Sequence, residues 1–521
     1  MKDAAKKQRE HHRQKGQFWT PAWVARAMVS YAIGSGASDI FDPAVGQGAF
    51  FRATKSLTCQ KGKEISLSGT EIDPAALSEA LDSGLSRHDI LRVTLTDFLR
   101  FSPEGKFKAI VANPPYIRHH RLSAETKEYI RSMGARLLSK PLDGRAGLHI
   151  YFLLHALELL QDGGRLAFIL PADTCEGVFA HALWSWITNR FRLEAVITFA
   201  PKASPFPSVD TNPIIILLSN NTPSELFDWA ECLITETPQL EEWLGAFPEP
   251  PSVPDIRVTR RRVSEAVSRG LTRPPGPSNG NQPTLSDHAT VLRGVATGCN
   301  DFFFLTRERA QSLSLPEEFL FPAVGRTRDV KDAALTQETL RRLDSAGRPT
   351  LLFAPDGRAY ENFPAPVRRY LRSGEGLGIN RKSLIATRNP WYKMETRIPP
   401  PILFTYLGRR NSRFIRNFAG AIPLTGFLCV YPNAKSSENI EELLQALNDS
   451  ATLDNLRLVG KSYAGGAIKV EPRALEKLPI TIGVLNKYGI CAQRPPAQLT
   501  LPYGNPGDTI LNSERVPGTP Y

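Results

Sequence analysis

Long apolar runs and clustered cysteines are both missing from this chain of 521 residues. No uninterrupted apolar stretch is long enough to cross a bilayer, and the charged first residues are not followed by an apolar segment. Neither a membrane span nor a secretory signal is therefore predicted. The six cysteines are scattered, with no Cys-x-x-Cys pair and no histidine at metal spacing. This argues against disulfides and structural zinc, so the expected setting is the reduced cytoplasm.

Positive charge exceeds negative charge in the chain. There are 64 Lys and Arg against 52 Asp and Glu, which gives a net charge of +12 and a pI near 9.4. Such a surplus favours a polyanionic partner such as nucleic acid, although it also occurs on ordinary solvated surfaces. The hydrophobic content of 41% is that of a globular protein. Because the chain is too long for a single core, two or three domains are expected.

The phrase Ala-Ile-Val-Ala-Asn-Pro-Pro-Tyr at 109–116 predicts a buried strand that ends at an active site. Its β-branched residues suit a strand covered on both faces, and Pro114 and Pro115 end that strand because proline cannot donate to its ladder. The prolines also restrict the backbone, so the side-chain carbonyl of Asn113 and the main-chain carbonyl of Pro114 are expected to face one place. Together they can accept both hydrogens of a planar amino group, while Tyr116 stacks on the attached ring.

A second signature precedes this strand: Asp-Pro-Ala-Val-Gly-Gln-Gly at 42–48. It follows a short apolar strand and leads into a helix, and Gly46 and Gly48 let the backbone approach a ligand closely. The spacing differs from the dinucleotide pattern Gly-x-Gly-x-x-Gly, so alone it is weak evidence. Upstream, Thr20 and Pro21 predict a helix start, with Thr20 as N-cap and Pro21 at the first helical position.

Acidic residues end the next two predicted strands. An acid at the tip of the second strand can accept ribose hydroxyls, as it does in dinucleotide folds, and Glu71 is predicted to do so. Asp73 is instead predicted to cap the following helix, since Pro74 comes next. Asp97 ends the third strand and can accept from an adenine amino group; Asp89 is the alternative for that role.

Taken in order, the Thr-Pro segment, the Asp-Pro-Ala-x-Gly-x-Gly loop and the Asn-Pro-Pro-Tyr strand resemble the gamma class of N6-adenine DNA methyltransferases, over about residues 16–220. The resemblance implies a doubly wound, mostly parallel α/β sheet of seven strands that binds S-adenosyl-L-methionine, followed by an α+β target-recognition domain. The implied reaction is methyl transfer to N6 of a flipped-out adenine in a short duplex sequence. The implied purpose is protection from a companion restriction endonuclease.

The resemblance also implies residue roles. Asp42 would hold the cofactor's ammonium, Thr20 would lie at its methionine end, and Ile72 and Phe98 would pack on its adenine. Phe206 would sandwich the target base against Tyr116. The predicted cofactor-binding residues are Thr20, Asp42, Ala44, Gly46, Gly48, Glu71, Ile72, Asp97 and Phe98. The predicted catalytic residues are Asn113, Pro114, Pro115, Tyr116 and Phe206, and no metal site is predicted.

Composition and the resemblance together divide the chain into five parts. They are a basic arm at 1–15, a catalytic domain at 16–245, a proline-rich linker at 246–285, a target-recognition domain at 286–490 and a disordered tail at 491–521. In the recognition region, basic and aromatic residues interleave in a pattern that suits phosphate and guanine contacts. These residues are Arg326, Arg328, Arg381, Lys382, Arg388, Trp391, Tyr392, Lys393, Arg409, Arg410, Arg413 and Arg416.

Two other functions fit the same residues. A carboxamide presents the same planar NH2 group, so an RNA or protein-glutamine amino-methyltransferase is one alternative, although the long basic second region argues against a small protein substrate. A catalytically silent DNA-binding protein is the other, and the intact glycine loop argues against it. No nuclease motif of the carboxylate-Glu-x-Lys kind is found in the chain. A separate nuclease partner is therefore expected from family context, and the chain is expected to be a monomer that binds double-stranded DNA.

Overall fold

The computed structural model describes residues 19–61, 64–138, 142, 146–176, 179–206, 212–249, 254–275, 282–395, 397–405, 407–408, 412–434, 436–463 and 467–490. The predicted arm at 1–15 and the predicted tail at 491–521 lie outside these residues, as do Arg409 and Arg410. Within the described ranges, no helix has both the length and the apolar character that a bilayer span requires.

Nine strands of the first half form one sheet. They are β1 (Asp39–Asp42), β2 (Ser66–Glu71), β3 (Val93–Leu95), β4 (Phe107–Ala112), β5 (Leu160–Pro171), β6 (Arg192–Phe199), β7 (Pro213–Ser219), β8 (Leu226–Cys232) and β9 (Ile256–Arg262). Their order is β3-β2-β1-β4-β5-β7-β6-β8-β9. The strands from β3 to β5 run parallel, β7 is antiparallel to both of its neighbours, and β9 is antiparallel to β8. The predicted doubly wound, mostly parallel sheet is confirmed.

The sheet has nine strands rather than the expected seven, because β8 and β9 extend it beyond β6. β7 lies inside the sheet between β5 and β6, and every one of its side chains is buried. Residues 256–269, which the proline-rich composition assigned to the linker, instead form β9 and a helix. The prolines flank this segment rather than fill it, so nothing prevents its backbone from pairing with β8.

Helices cover both faces of this sheet. They are α1 (Ala22–Ile33), α2 (Ala49–Lys61), α3 (Pro74–Asp82), α4 (Ala124–Leu138), α5 (Leu148–Glu158), α6 (Ala180–Thr188), α7 (Gln239–Ala246) and α8 (Val263–Arg269). One apolar cluster packs α1, α2 and α7 against the sheet, and another packs α4, α5, α6 and α8 against the opposite face. Because both faces are covered, the central strands read as continuous apolar runs in the sequence.

The arginine-rich strand β9 is neutralised by β8. Arg257 pairs with Glu231 and Arg260 with Asp228 across the two strands, and Arg262 pairs with Glu225, the residue before β8. Arg261 points to the other side, where it is buried and donates to Glu265 and to the carbonyl of Arg273. This part of the chain's basic charge therefore stabilises one edge of the sheet, since opposite charges on neighbouring strands attract.

The second half contains three smaller sheets and nine helices within the described residues. Its strands are β10 (Ala289–Arg293), β11 (Phe304–Leu305), β12 (Leu320–Val324), β13 (Ala334–Leu335), β14 (Leu351–Phe353), β15 (Ile402–Thr405), β16 (Leu407–Gly408), β17 (Phe414–Asn417), β18 (Ile422–Pro423), β19 (Phe427–Pro432), β20 (Lys461–Tyr463) and β21 (Ala467–Lys469). They are ordered β10-β19-β15-β17-β13, β11-β14-β12-β18 and β16-β21-β20.

The helices of this half are α9 (Asn300–Phe303), α10 (Arg307–Ser312), α11 (Gln337–Ser345), α12 (Ala365–Gly376), α13 (Ile440–Asn448), α14 (Ser450–Asp454), α15 (Leu456–Val459), α16 (Pro472–Glu476) and α17 (Ile482–Lys487). The buried residues of its apolar clusters all lie between 285 and 485. A second α+β region is confirmed, and the boundaries at 245 and 286 stay a prediction.

Gly48 connects β1 to α2 in a conformation that only glycine adopts easily. Its φ is +74°, and a Cβ there would collide with the side chain of Leu85. We expect Gly48→Ala to cost roughly 2–4 kcal/mol, from left-handed strain and overpacking together. Urea unfolding measures this loss.

Gly84→Ala is the matched control, because Gly84 has a φ of +99° but open space around it. It should cost only the strain of about 1–2 kcal/mol. Equal losses in the two variants would contradict the packing role of Gly48.

Candidate active site

A cavity of about 450 Å³ opens at the carboxyl ends of β1, β2 and β4, where open α/β sheets bind ligands. Its volume lies within the range of small-molecule sites. Nine predicted site residues line it: Thr20, Ala44, Gly46, Glu71, Ile72, Asp97, Phe98, Asn113 and Pro115. The predicted residues absent from this wall are Asp42, Gly48, Pro114, Tyr116 and Phe206.

The glycine loop is fixed by Glu71 at the end of β2. One carboxylate oxygen of Glu71 accepts from the N–H of Gly46 at 2.7 Å, and the other accepts from the N–H groups of Ile72 and Asp73, both at 2.9 Å. A carboxylate offers about four acceptor positions, so roughly one remains for a ribose hydroxyl. Glu71 therefore holds the loop as well as lining the cavity, and its ribose contact stays a prediction.

Asp42 lies beneath the loop, fully buried. Its Oδ1 accepts from the N–H of Ala44 at 3.0 Å, whereas its Oδ2 has no hydrogen-bond partner. Burial raises the pKa of this carboxyl to about 8. An unpartnered buried carboxylate oxygen is unfavourable unless a cation or donor reaches it. The residue therefore fits the predicted ammonium contact, which stays a prediction.

The predicted adenine end is formed by Ile72, Asp97 and Phe98. Ile72 is 70% exposed on the wall, while Phe98 is almost fully buried and packs on Phe152 and His155. Asp97 caps the short 3-10 helix Phe98–Arg100 by accepting from the N–H of Leu99 at 3.1 Å.

The alternative acid, Asp89, has a different role. It pairs with Lys55 at 2.6 Å, and it also accepts hydrogen bonds from Ser86. These contacts lower its pKa to about 2, and it does not line the cavity. The structure therefore favours Asp97 over Asp89.

Thr20 is not the N-cap of α1, so that prediction was wrong. Pro21 occupies the cap with an extended ψ of 147°, and the helix begins at Ala22. The hydroxyl oxygen of Thr20 instead accepts a hydrogen bond from the side-chain nitrogen of Asn113 at 3.1 Å. The hydroxyl contacts a residue 93 positions away rather than its own helix, which no local capping rule anticipates.

This contact orients the Asn113 side chain. β4 ends at Ala112, and Asn113 follows it directly onto the cavity wall. Because the amide nitrogen is directed to Thr20, the amide oxygen lies on the opposite side of the carboxamide. The sequence predicted an acceptor at this position but gave no sign of the residue that orients it.

The aromatic residues of the predicted base site lie away from this wall. The hydroxyl of Tyr116 donates to the carbonyl of Ile169 in β5 at 3.0 Å, and its ring meets His149 edge-on at 5.8 Å. Phe206 is 6% exposed and belongs to the apolar cluster beneath α1. Their stacking on a target base stays a prediction.

Several lining residues were missed by sequence reasoning. The cavity wall also includes Trp19, Gln47, Arg52, Ile117, Leu122, Thr126 and Leu148. Some of them follow a motif closely along the chain, and this proximity was the signal that could have identified them. Thr126 and Leu148 instead lie in later helices, and Leu122 lies just before α4. Within the described part of the chain, no group of three or more His, Cys, Asp or Glu side chains is placed to hold a metal ion.

Each half of the chain matches a known protein family. The N-6 DNA Methylase family matches residues 4–236, and the C-terminal domain of Type II methyltransferase M.Eco57I matches residues 278–493. Type II methyltransferase M.AccI of Acinetobacter calcoaceticus is 26% identical over 493 residues, which cover 92% of this chain and 87% of the relative. M.XamI of Xanthomonas campestris pv. amaranthicola is 27% identical, with coverages of 89% and 85%.

A solved structure has a similar fold. The Type IIL restriction-modification enzyme MmeI in complex with DNA superimposes with a TM-score of 0.53 at 13% identity. The match covers 85% of this chain and 62% of MmeI, so this chain spans less than two thirds of that enzyme. At this identity the likeness concerns the fold alone.

The raised pKa of Asp42 predicts how stability depends on pH. Between about 4 and 8 the folded chain binds a proton that the unfolded chain releases, so stability should fall as the pH rises through this window. Asp42→Asn cannot titrate, and its thermal midpoint should fall less between pH 5 and 9 than that of the unaltered chain. Between pH 5 and pH 9, the thermal midpoint of the unaltered chain should fall by at least ~2 °C more than that of Asp42→Asn, which corresponds to about 1 kcal/mol.

Asp89→Asn provides a control of opposite sign. Because the pKa of Asp89 is lowered to about 2, its ionised form stabilises the folded chain at neutral pH. This variant should therefore be less stable than the unaltered chain at pH 7. Parallel pH profiles for the unaltered chain and Asp42→Asn would contradict the assignment of a protonated Asp42.

Proposed function

Because this chain belongs to the N6-adenine DNA methyltransferases of type II restriction-modification systems, we propose that it methylates N6 of an adenine flipped out of a short duplex sequence. The observation that carries this proposal is the Asn113 carboxamide, which Thr20 orients at the end of β4 on the wall of the cavity. We further propose that the modification protects DNA from a separate restriction endonuclease and that the chain acts as a monomer.

The family uses S-adenosyl-L-methionine, which supplies an electrophilic methyl group when bound. In this chain, Asp42 would hold the ammonium of the cofactor, since its buried Oδ2 has no partner. Glu71 would accept one ribose hydroxyl with its remaining acceptor position. Ile72 would pack on the adenine ring, and Asp97 would accept from the adenine amino group.

Asn113 and Pro114 would bind the target amino group. The lone pair of adenine N6 is delocalised into the ring, which makes this nitrogen a weak nucleophile. Acceptance of both N–H bonds by the Asn113 side chain and the Pro114 carbonyl raises electron density on nitrogen and favours a pyramidal geometry. The same two oxygens would stabilise the positive charge that develops on the nitrogen as it gains the methyl group, and loss of one N–H proton to water would then give the neutral methylated amine.

Tyr116 and Phe206 would hold the extruded base between them. Extrusion costs a few kcal/mol, and stacking on aromatic side chains returns roughly 1–3 kcal/mol per base. The hydrogen bond from Tyr116 to the Ile169 carbonyl fixes this ring in place before the base arrives. Less conformational freedom is then lost on binding.

Only some of the basic and aromatic residues predicted to contact DNA lack partners within the described part of the protein. Several have partners within the protein: Lys382 with Cys299, Arg388 with the carbonyls of Ala296 and Thr297, Arg413 with the carbonyl of Val330, and Arg416 with Glu441. Trp391 donates to Glu375, and Tyr392 is buried and donates to the carbonyl of Arg358. We propose that the exposed residues Arg326, Arg328, Arg381 and Lys393 contact DNA.

Asn113→Ala tests the catalytic assignment. The variant should keep its affinity for S-adenosyl-L-homocysteine within about twofold, because the contacts of Asp42 and Glu71 are unchanged. Its methylation rate should fall by roughly 10²–10³, the usual cost of one preorganised hydrogen-bonding group. Tritium transfer to DNA, followed by digestion to nucleosides, measures the rate and identifies N6-methyladenine. Normal turnover would refute the role of Asn113.

Thr20→Val tests whether the hydroxyl orients Asn113. Valine keeps the shape of threonine but cannot accept from the amide nitrogen, so the carboxamide should lose its preferred orientation. We expect the single-turnover methylation rate to fall about tenfold, which corresponds to one hydrogen bond of ~1.4 kcal/mol. Thr20→Ser is the control and should stay close to the unaltered chain. If Thr20→Val also loses cofactor affinity to the same extent, the hydroxyl binds the cofactor instead.

A further inference from the structure

We propose that Arg52 binds the carboxylate of the S-adenosyl-L-methionine amino-acid group. Arg52 lies in the first turn of α2, four residues after Gly48. Its side chain lines the cavity, although it belongs to none of the three motifs. The inference rests on the proposed cofactor use and adds a residue that the motifs do not contain.

The position of Arg52 matches the amino-acid end of the ligand. The same cavity is lined by Ile72, Asp97 and Phe98, where the adenine is expected. Arg52 donates from Nη1 to the carbonyl of Gln47 at 2.5 Å, which places its guanidinium beside the glycine loop.

Trp19 connects this loop to Thr20 along the chain. A Cβ built on Gly46, the residue before Gln47, would lie 3.5 Å from the ring of Trp19. Thr20 follows Trp19 directly, and both residues line the cavity with Arg52. The guanidinium is therefore on the side of the cavity where the methionine group is expected.

The charges of the cavity make the pairing specific. The wall carries the carboxylates of Glu71, Asp73 and Asp97, and Asp42 lies beneath it. These groups suit the ammonium, hydroxyl and amino donors of the cofactor, but none of them tolerates its carboxylate. Among the described residues on the wall, Arg52 is the only Lys, Arg or His side chain. It is therefore the group that complements a bound carboxylate.

Arg52 is also not engaged by an acid of the protein. Other cations of the same domain have carboxylate partners: Lys55 pairs with Asp89, Arg26 with Glu241 and Arg100 with Glu125. No ion pair of Arg52 occurs within the described ranges. Partial burial lowers its pKa, because removal from water disfavours the charged form. A carboxylate ligand would supply the missing counter-charge, and the guanidinium has five N–H donors, of which the Gln47 carbonyl uses one.

Calorimetry with two ligands tests the inference. S-adenosyl-L-homocysteine carries the carboxylate, and its decarboxylated analogue lacks only that group. Arg52→Gln should weaken binding of the first about tenfold, or ~1.4 kcal/mol, and change binding of the second by less than twofold. Arg52→Lys keeps the charge and should lose less than Arg52→Gln. The measurement needs no DNA, so it does not depend on turnover.

Two results would overturn the inference. Equal weakening of both ligands by Arg52→Gln would mean that Arg52 only supports the loop through Gln47. Unchanged affinity for S-adenosyl-L-homocysteine would mean that the carboxylate binds elsewhere, such as the N-terminus of α1.

The unaltered chain gives a check that does not depend on the folding of a variant. Decarboxylation alone should weaken its binding about tenfold, and equal affinities would also overturn the inference. Methylation of DNA by the unaltered chain is measured in parallel. Failure of the Arg52 assignment is thereby separated from failure of the proposed function.

Discussion

The hydrogen bond between Asn113 and Thr20 connects the two parts of the chain that the proposed reaction needs together. Thr20 lies just before α1, while Asn113 directly follows β4, and the bond spans 3.1 Å between them. A carboxamide is nearly symmetric in shape, so only its hydrogen-bond partners decide which end is the acceptor. By taking the nitrogen, Thr20 sets the orientation that binding of an amino group requires. The methionine end and the reacting end of the proposed site thus share one residue.

Charged residues of the proposed site also combine a structural role with a role in binding. Glu71 holds the glycine loop through the N–H of Gly46 while it faces the cavity, and Asp42 stays buried with one oxygen unpartnered. The unpartnered oxygen of Asp42 costs stability in the free protein, and this cost is offset when a ligand with a matching donor is present. The arginines fall into two groups. Those of β9 pair with acids of β8, whereas Arg52 faces the cavity with no acidic partner among the described residues.

The limits of sequence reasoning follow from the range of the contacts. Asn113 and the glycine loop were identified because their chemistry lies within eight or fewer consecutive residues. Thr20 was misassigned as a helix cap, since local rules consider only the next few N–H groups and not a side chain 93 residues away. Residues 256–269 were assigned to a linker because composition averages over the flanking prolines. Arg52 was missed because one arginine in a helix carries no pattern.

The sequence by itself determined the class of fold, the strand ends that carry the motifs and the two-part organisation, because apolar periodicity, proline and glycine act locally on the backbone. The tertiary structure alone decided which side chains meet: the Thr20 contact that orients Asn113, the acids that neutralise β9, and the cavity wall that Arg52 shares with Glu71. These contacts join residues far apart in the chain. Their geometry depends on how helices and strands pack, and that packing is set by the whole core rather than by any segment of it.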